Sequence, residues 1–143
     1  MGEERLVWWF DRCLGKQLPT RMAELGADVR RYGDLYPDDP AKPDIDWIPE
    51  VTARGWVIVT KDKNIRRDAA ERNVLLNARA RYVCLASANM TGPEQVACFE
   101  RHWRTLDGVV RTRSVPVLVS LTREDVSWWD GHEWRKVKQK PLR

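Results

Sequence analysis

Histidine and cysteine are scarce in this sequence: there are two histidines and three cysteines among 143 residues. Cys13, Cys84 and Cys98 are scattered, odd in number and without any C-x-x-C spacing, which argues against a disulfide framework and against a zinc site. They read as free, buried thiols. His102 and His132 read as structural or surface positions, since no serine or cysteine pattern offers either a nucleophile to activate. There is no glycine-rich loop to cradle a phosphate. No stretch approaches the roughly 20 consecutive apolar residues of a membrane helix, and the opening "MGEERL" has no signal-peptide pattern. A cytoplasmic protein with no membrane contact is therefore expected.

What is present is a balance typical of a globular chain, 43% apolar and 32% charged. The length fits one domain spanning residues 1–143 with a sizeable core. Eight tryptophans against two phenylalanines is unusual, and "SWWDGHEW" places three of them in one short segment, suited to stacking or to a protein interface as well as to a core. The net charge is +4, and much of the excess sits in "KDKNIRR" and "WRKVKQKPLR". Such clusters suit a phosphate backbone, although a charge run also serves as a solvated face.

Strand and helix patterns alternate along the chain. "RLVWWF" (5–10) is apolar almost throughout and reads as a strand buried on both faces. "GKQLPTRMAELG" reads as a helix with Leu18, Met22 and Leu25 at helical spacing, Pro19 in its first turn and Gly26 as its stop. "ADVRRYGDLY" reads as a second, more polar strand, and "PDDPAKPD" as a loop. A helix is expected from about Asp44 to Ala53, or from Asp46 because Pro49 is costly beyond a first turn. "WVIVT" (56–60) is a third strand and "NIRRDAAERNVLLNARA" a helix. "RYVCLA" is a fourth strand, Thr91 or Gly92 opens a long helix, "VPVLVSLT" is a fifth strand, and Asp130-Gly131 turns a C-terminal hairpin within about 115–140. This alternation predicts an α/β sandwich with a mostly parallel central sheet.

In such a sheet the strand C-termini and the starts of the following helices share one edge, where open α/β sheets bind ligands. Asp11 directly follows strand one, Asp62 follows strand three, and Asp44 and Asp46 open the helix ahead of it. Carboxylates gathered without partners repel one another, and a divalent cation removes that cost. Oxygen ligands suit Mg²⁺ or Mn²⁺, which can activate water against a phosphodiester. Lys61, Lys63, Arg66 and Arg67, with Lys16, would frame this acidic pocket with groups that hold a polyanion. Asp44 or Asp46 could instead cap its helix, and Asp62 could cap the next one or pair with Arg66. Asp34, Asp38 and Asp39 read as solvated turn residues. A phosphoaspartyl receiver or a D-x-D phosphatase would need a second acid beside Asp11, where Arg12 and Cys13 stand.

The segments "WWFDRCLGKQLPTRMAELGADV" and "DIDWIPEVTARGWVIVTKDKNIRR" resemble the PIN-like nucleases, in particular the compact branch that includes VapC-type toxins. The resemblance covers roughly the first 90 residues. Asp11 matches the family's first acid, Asp44 its second and Asp62 its third, with Asp46 a rival to Asp44. The fourth acid of many members has no clear match; Asp68 and Asp125 are stand-ins. The resemblance implies a three-layer α/β/α fold, Mg²⁺ or Mn²⁺ dependence and cleavage of single-stranded RNA. For toxin members it also implies a cognate antitoxin protein, and a homodimer is common. The alternative is a catalytically degenerate PIN-like module that binds RNA or protein.

Overall fold

The computed structural model describes residues 5–61, 67–87 and 89–138. Its centre is a seven-stranded sheet built from β1 (Val7–Phe10), β2 (Asp28–Arg31), β3 (Val57–Lys61), β4 (Arg81–Leu85), β5 (Val117–Leu121), β6 (Val126–Trp129) and β7 (Trp134–Lys136). The strand order is β2-β1-β3-β4-β5-β6-β7. The first five strands are mutually parallel, and β6 and β7 add to β5 as an antiparallel hairpin. The helices are α1 (Gln17–Glu24), a short α2 (Tyr32–Leu35), α3 (Asp44–Ala53), α4 (Ala69–Ala78) and the long α5 (Gly92–Thr112).

The apolar strands explain why the sheet is covered on both faces. Successive side chains alternate between faces, and the core divides accordingly. Trp8, Phe10, Val57, Val59, Val83, Leu85, Val117 and Val119 pack with Leu18 and Met22 of α1 and Phe99, Leu106 and Val110 of α5. Trp9, Ile58, Tyr82, Cys84 and Leu118 face the other way, against Tyr32 of α2, Trp47, Ile48 and Val51 of α3 and Leu75 of α4. The result is the three-layer α/β/α arrangement expected. Trp8 and Trp9 are adjacent in sequence and both fully buried, one in each layer.

Several local expectations hold and several change. Thr91 caps α5: its hydroxyl accepts from the Glu94 amide while the Glu94 carboxylate accepts from the Thr91 amide, a reciprocal capping box. Gly26 follows α1 with φ +98°, a conformation in which glycine pays no Cβ penalty. Leu25, by contrast, is exposed, because α1 ends at Glu24 before the apolar stripe reaches it. The second strand is shorter than its sequence suggests: after Arg31 the chain turns into α2, and Asp34, read as a turn residue, accepts from the Arg31 amide at 2.8 Å to start that helix. The α3 helix begins at Asp44 rather than Asp46 and runs through Pro49. The carbonyl that Pro49 cannot serve belongs to Ile45, which is exposed. His102 is fully buried, with Nε2 3.0 Å and 3.1 Å from the carbonyl oxygens of Thr122 and Arg123, so this nitrogen carries the proton and ties α5 to the turn after β5.

The hairpin turn is held by Asp130. Its Oδ1 accepts from the amides of His132 (2.7 Å) and Glu133 (2.8 Å), and its Oδ2 accepts from Arg135. These bonds lower its pKa from 3.8 to about 2, with the two backbone donors the largest causes. A carboxylate depressed in the folded state stabilises it above the unfolded pKa, and that stability is lost as pH falls through the folded pKa. The hairpin should therefore loosen between pH 3.8 and about 2. Fluorescence of the Trp129–Trp134 pair, whose rings lie 5.6 Å apart, would report it, and Asp130→Asn should remove this acid transition.

Candidate active site

Five parallel strands place their C-terminal ends on one edge, and β1 and β3 are neighbours there. The register pairs Phe10 with Val59, and the Asp11 amide continues the ladder by donating to the Val59 carbonyl at 2.9 Å. Asp11 therefore leaves the sheet beside Thr60. Its residue exposure is 8%, low for a carboxylate, and the group is well supplied with donors. Oδ1 accepts from the Arg12 amide at 2.7 Å, and Oδ2 accepts from the Thr60 hydroxyl at 2.9 Å and from the Cys13 thiol at 3.4 Å. The Arg12 guanidinium lies 3.8 Å from Oδ1 and is parked over the Tyr32 ring, 4.6 Å from its centroid. Cys13, expected to be a buried thiol, is exposed as a residue, yet desolvation of its sulfur raises its pKa against the lowering effect of Thr60, so the thiol stays protonated at neutral pH and acts as a donor to Asp11.

Asp11 opens into a cleft of about 450 Å³ between this sheet edge and the starts of α3 and α4. Asp44 and Glu71 line the same cleft, together with Cys13, Thr60, Lys61 and the apolar side chains of Ile45, Trp47, Ile48, Val74, Leu75 and Tyr82. Three carboxylates from three separate elements thus share one opening. Asp44 is the first residue of α3, and the N-cap position is Pro43, so Asp44 is not the cap that its spacing also allowed. Asp46 is exposed on the same first turn but does not line the cleft, since two residues along a helix turn a side chain away.

Of the basic residues singled out in the sequence, Lys61 lines the cleft. Lys16 is exposed at the start of α1 and Arg67 is exposed before α4; neither contributes to the cleft wall. Asp62, Lys63 and Arg66 lie outside the described residues. Neither stand-in for a fourth acid lines the cleft. Asp68 is the N-cap of α4, its Oδ1 accepting from Ala70 and Glu71 amides, and Asp125 pairs with Lys136 at 3.3 Å. The acid that sequence reading missed is Glu71. It sits in the first turn of the helix after β3, the kind of position that drew attention to Asp44, but it was absorbed into a helix-forming run. Among the described residues no group of three His, Cys, Asp or Glu side chains is placed to hold a metal ion.

Residues 7–87 match a family model described as "PIN like domain". The chain belongs to this PIN-like family. It is also similar to a Mycobacterium tuberculosis (strain ATCC 25618 / H37Rv) protein named "Putative ribonuclease VapC45", with 33% identity over 109 residues, covering 74% of this chain and 77% of that protein. No solved structure matches the chain. The matched region of the PIN-like model contains β1 to β4 and every carboxylate that lines the cleft.

The Thr60 hydroxyl is the nearest donor from a second strand to hold Asp11. Thr60→Val should cost about 1–3 kcal/mol, because it removes a bond to a nearly buried carboxylate while keeping the side-chain shape. Urea denaturation measures this; Thr60→Ser should recover most of the loss, and an unchanged midpoint for Thr60→Val would show that the bond is not needed.

Proposed function

We propose that this protein is a metal-dependent endoribonuclease that cuts single-stranded RNA, and that it is the toxin of a toxin–antitoxin pair. The observation that carries this reading is the cleft at the C-terminal sheet edge, where a nearly buried Asp11 opens beside Asp44, Glu71 and Lys61. Membership of the PIN-like family and likeness to a protein named as a VapC ribonuclease support it. No helix among the described residues is long and apolar enough to cross a membrane, which agrees with a cytoplasmic site of action.

Asp11, Asp44 and Asp62 would hold Mg²⁺ or Mn²⁺; Asp46, turned away from the cleft, is left out of the set. The chemistry of the donor set suits such an ion: the described cleft offers carboxylate oxygens and no imidazole, a hard-cation environment. The third ligand of the proposed set, Asp62, follows Lys61 of the cleft wall directly in sequence. A bound ion of this kind activates water and offsets charge that develops on phosphoryl oxygens. The chain's own residues do the rest. Thr60 and the Arg12 amide fix the Asp11 carboxylate, and outer partners of this type typically matter 10- to 100-fold. Lys61, with Lys16, Lys63, Arg66 and Arg67, would hold the RNA backbone by charge, giving affinity and orientation rather than base preference. A cognate antitoxin and a second copy of this chain are the expected protein partners.

Purified protein should cleave single-stranded RNA with Mn²⁺ or Mg²⁺ and stop when a chelator is added. Asp11→Asn and Asp62→Asn should each lower kcat/KM by more than about 100-fold, beyond the range of outer-shell losses, with an unchanged circular dichroism spectrum. Cleavage that persists in chelator, or full activity in either variant, would remove the metal mechanism. A protein that binds RNA but never cuts it would be the degenerate module instead.

A further inference from the structure

Three large apolar residues are exposed among those described: Leu25, Ile45 (68%) and Val74 (39%). Two of the three, Ile45 and Val74, line the cleft that holds Asp11. They come from different helices. Ile45 stands next to Asp44 on α3 and three residues before Ile48; Val74 is three residues after Glu71 on α4 and next to Leu75. Residues three or four apart share a helix face, so each helix brings one carboxylate and a short apolar stripe to the same opening. All six of these residues line it.

Leaving aliphatic side chains in water is unfavourable by about 25 cal/mol per Å², so the placement calls for an occupant. That occupant must tolerate carboxylates directly beside its apolar surface. It must also fit a cleft of about 450 Å³, within the range of small-ligand sites. A standard protein interface buries roughly 800 Å² on each side, of which these two residues would be only a small part. A nucleotide meets both conditions on the ribonuclease reading: its phosphate would lie against Lys61 and the divalent cation that the acids would hold, and its base has flat apolar faces.

We propose that Ile45 and Val74 form a nucleobase subsite, receiving one unstacked base next to the phosphate that Lys61 and a cation on Asp11 and Asp44 would hold. The subsite rests on the ribonuclease reading above and extends it. Contact with apolar side chains is sequence-tolerant, because every base presents the same kind of face. The subsite therefore selects unpaired RNA over duplex, in which the base faces are stacked.

The test uses a single-stranded RNA with one mapped cleavage site and the same RNA with an abasic ribose at each nucleotide flanking that site. The native protein should lose about tenfold in kcat/KM at one flanking position, the effect of removing roughly 55 Å² of apolar contact at about 25 cal/mol per Å². Ile45→Ser/Val74→Ser, a change at two exposed positions, should lose about tenfold on intact RNA and no more on the abasic RNA, since the two deletions remove the same contact. Equal use of intact and abasic RNA by the native protein would overturn the subsite, as would a double variant that keeps the native discrimination. A double variant that cleaves normally but loses affinity for a protein partner would reassign the surface to protein docking and overturn it as well. The same RNAs are also titrated by fluorescence anisotropy against Asp11→Asn, with and without the two serines. There a matching tenfold pattern in Kd supports the subsite, and equal Kd values overturn it, even where the native protein cleaves nothing and the nuclease reading fails.

Discussion

The site depends on one backbone hydrogen bond and the register it extends. The Asp11 amide donates to the Val59 carbonyl, which keeps β1 and β3 paired one residue past the end of β1. Thr60 is held within β3 by its pairing with Cys84, and this bond keeps Asp11 beside it. With it, the Thr60 hydroxyl is committed to one oxygen of the Asp11 carboxylate and the Arg12 amide to the other. These donors replace the water that a nearly buried carboxylate gives up. The same donors leave it few orientations, and reactive groups benefit from being fixed before anything binds.

The layers above and below the sheet determine what else reaches Asp11. Trp9, Ile58 and Tyr82 project toward α3 and α4, and Trp47, Val51 and Leu75 close over them. Trp9 and Trp47 pack with ring centroids 4.8 Å apart, a tilted contact of the favoured kind. Since Trp47 is three residues past Asp44, docking of that indole in the core sets where the first turn of α3 comes to rest. An aromatic anchor thus helps to position the acid of α3. Three of the eight tryptophans, Trp8, Trp9 and Trp47, are fully buried, one in the α1/α5 layer and two in the other.

Much of this was legible beforehand because it follows from periodicity. Strands apolar on both faces demand helices on both sides, and parallel strands demand a common C-terminal edge, which is why Asp11 and Asp44 could be assigned to one place from sequence. The shortfalls have local causes. Tyr32 to Leu35 look extended in isolation, yet the Asp34 carboxylate captures the Arg31 amide and winds them into α2. Pro49 suggests a later start to α3, but the bond it deletes falls in an exposed first turn, where the loss is small compared with burying Trp47, Ile48 and Val51. Glu71 was indistinguishable from a helix-forming residue, because nothing in a one-dimensional pattern tells which face of α4 will look into the cleft. Asp46 shows the converse: an acid with the right neighbours that the helix rotates away.

The order of strands has a further effect on how copies of this chain meet. A sheet that is open at both sides offers two rows of unpaired backbone groups, through which identical molecules can add to one another without limit. Here both margins are short and heavily charged. β2 carries Asp28, Arg30 and Arg31 over four residues, and β7 is three residues long with Arg135 and Lys136. Like charges brought opposite each other repel, so lengthening the sheet across molecules is disfavoured at both ends. The two sheet margins are thus the least suitable surfaces for one copy of this chain to meet another.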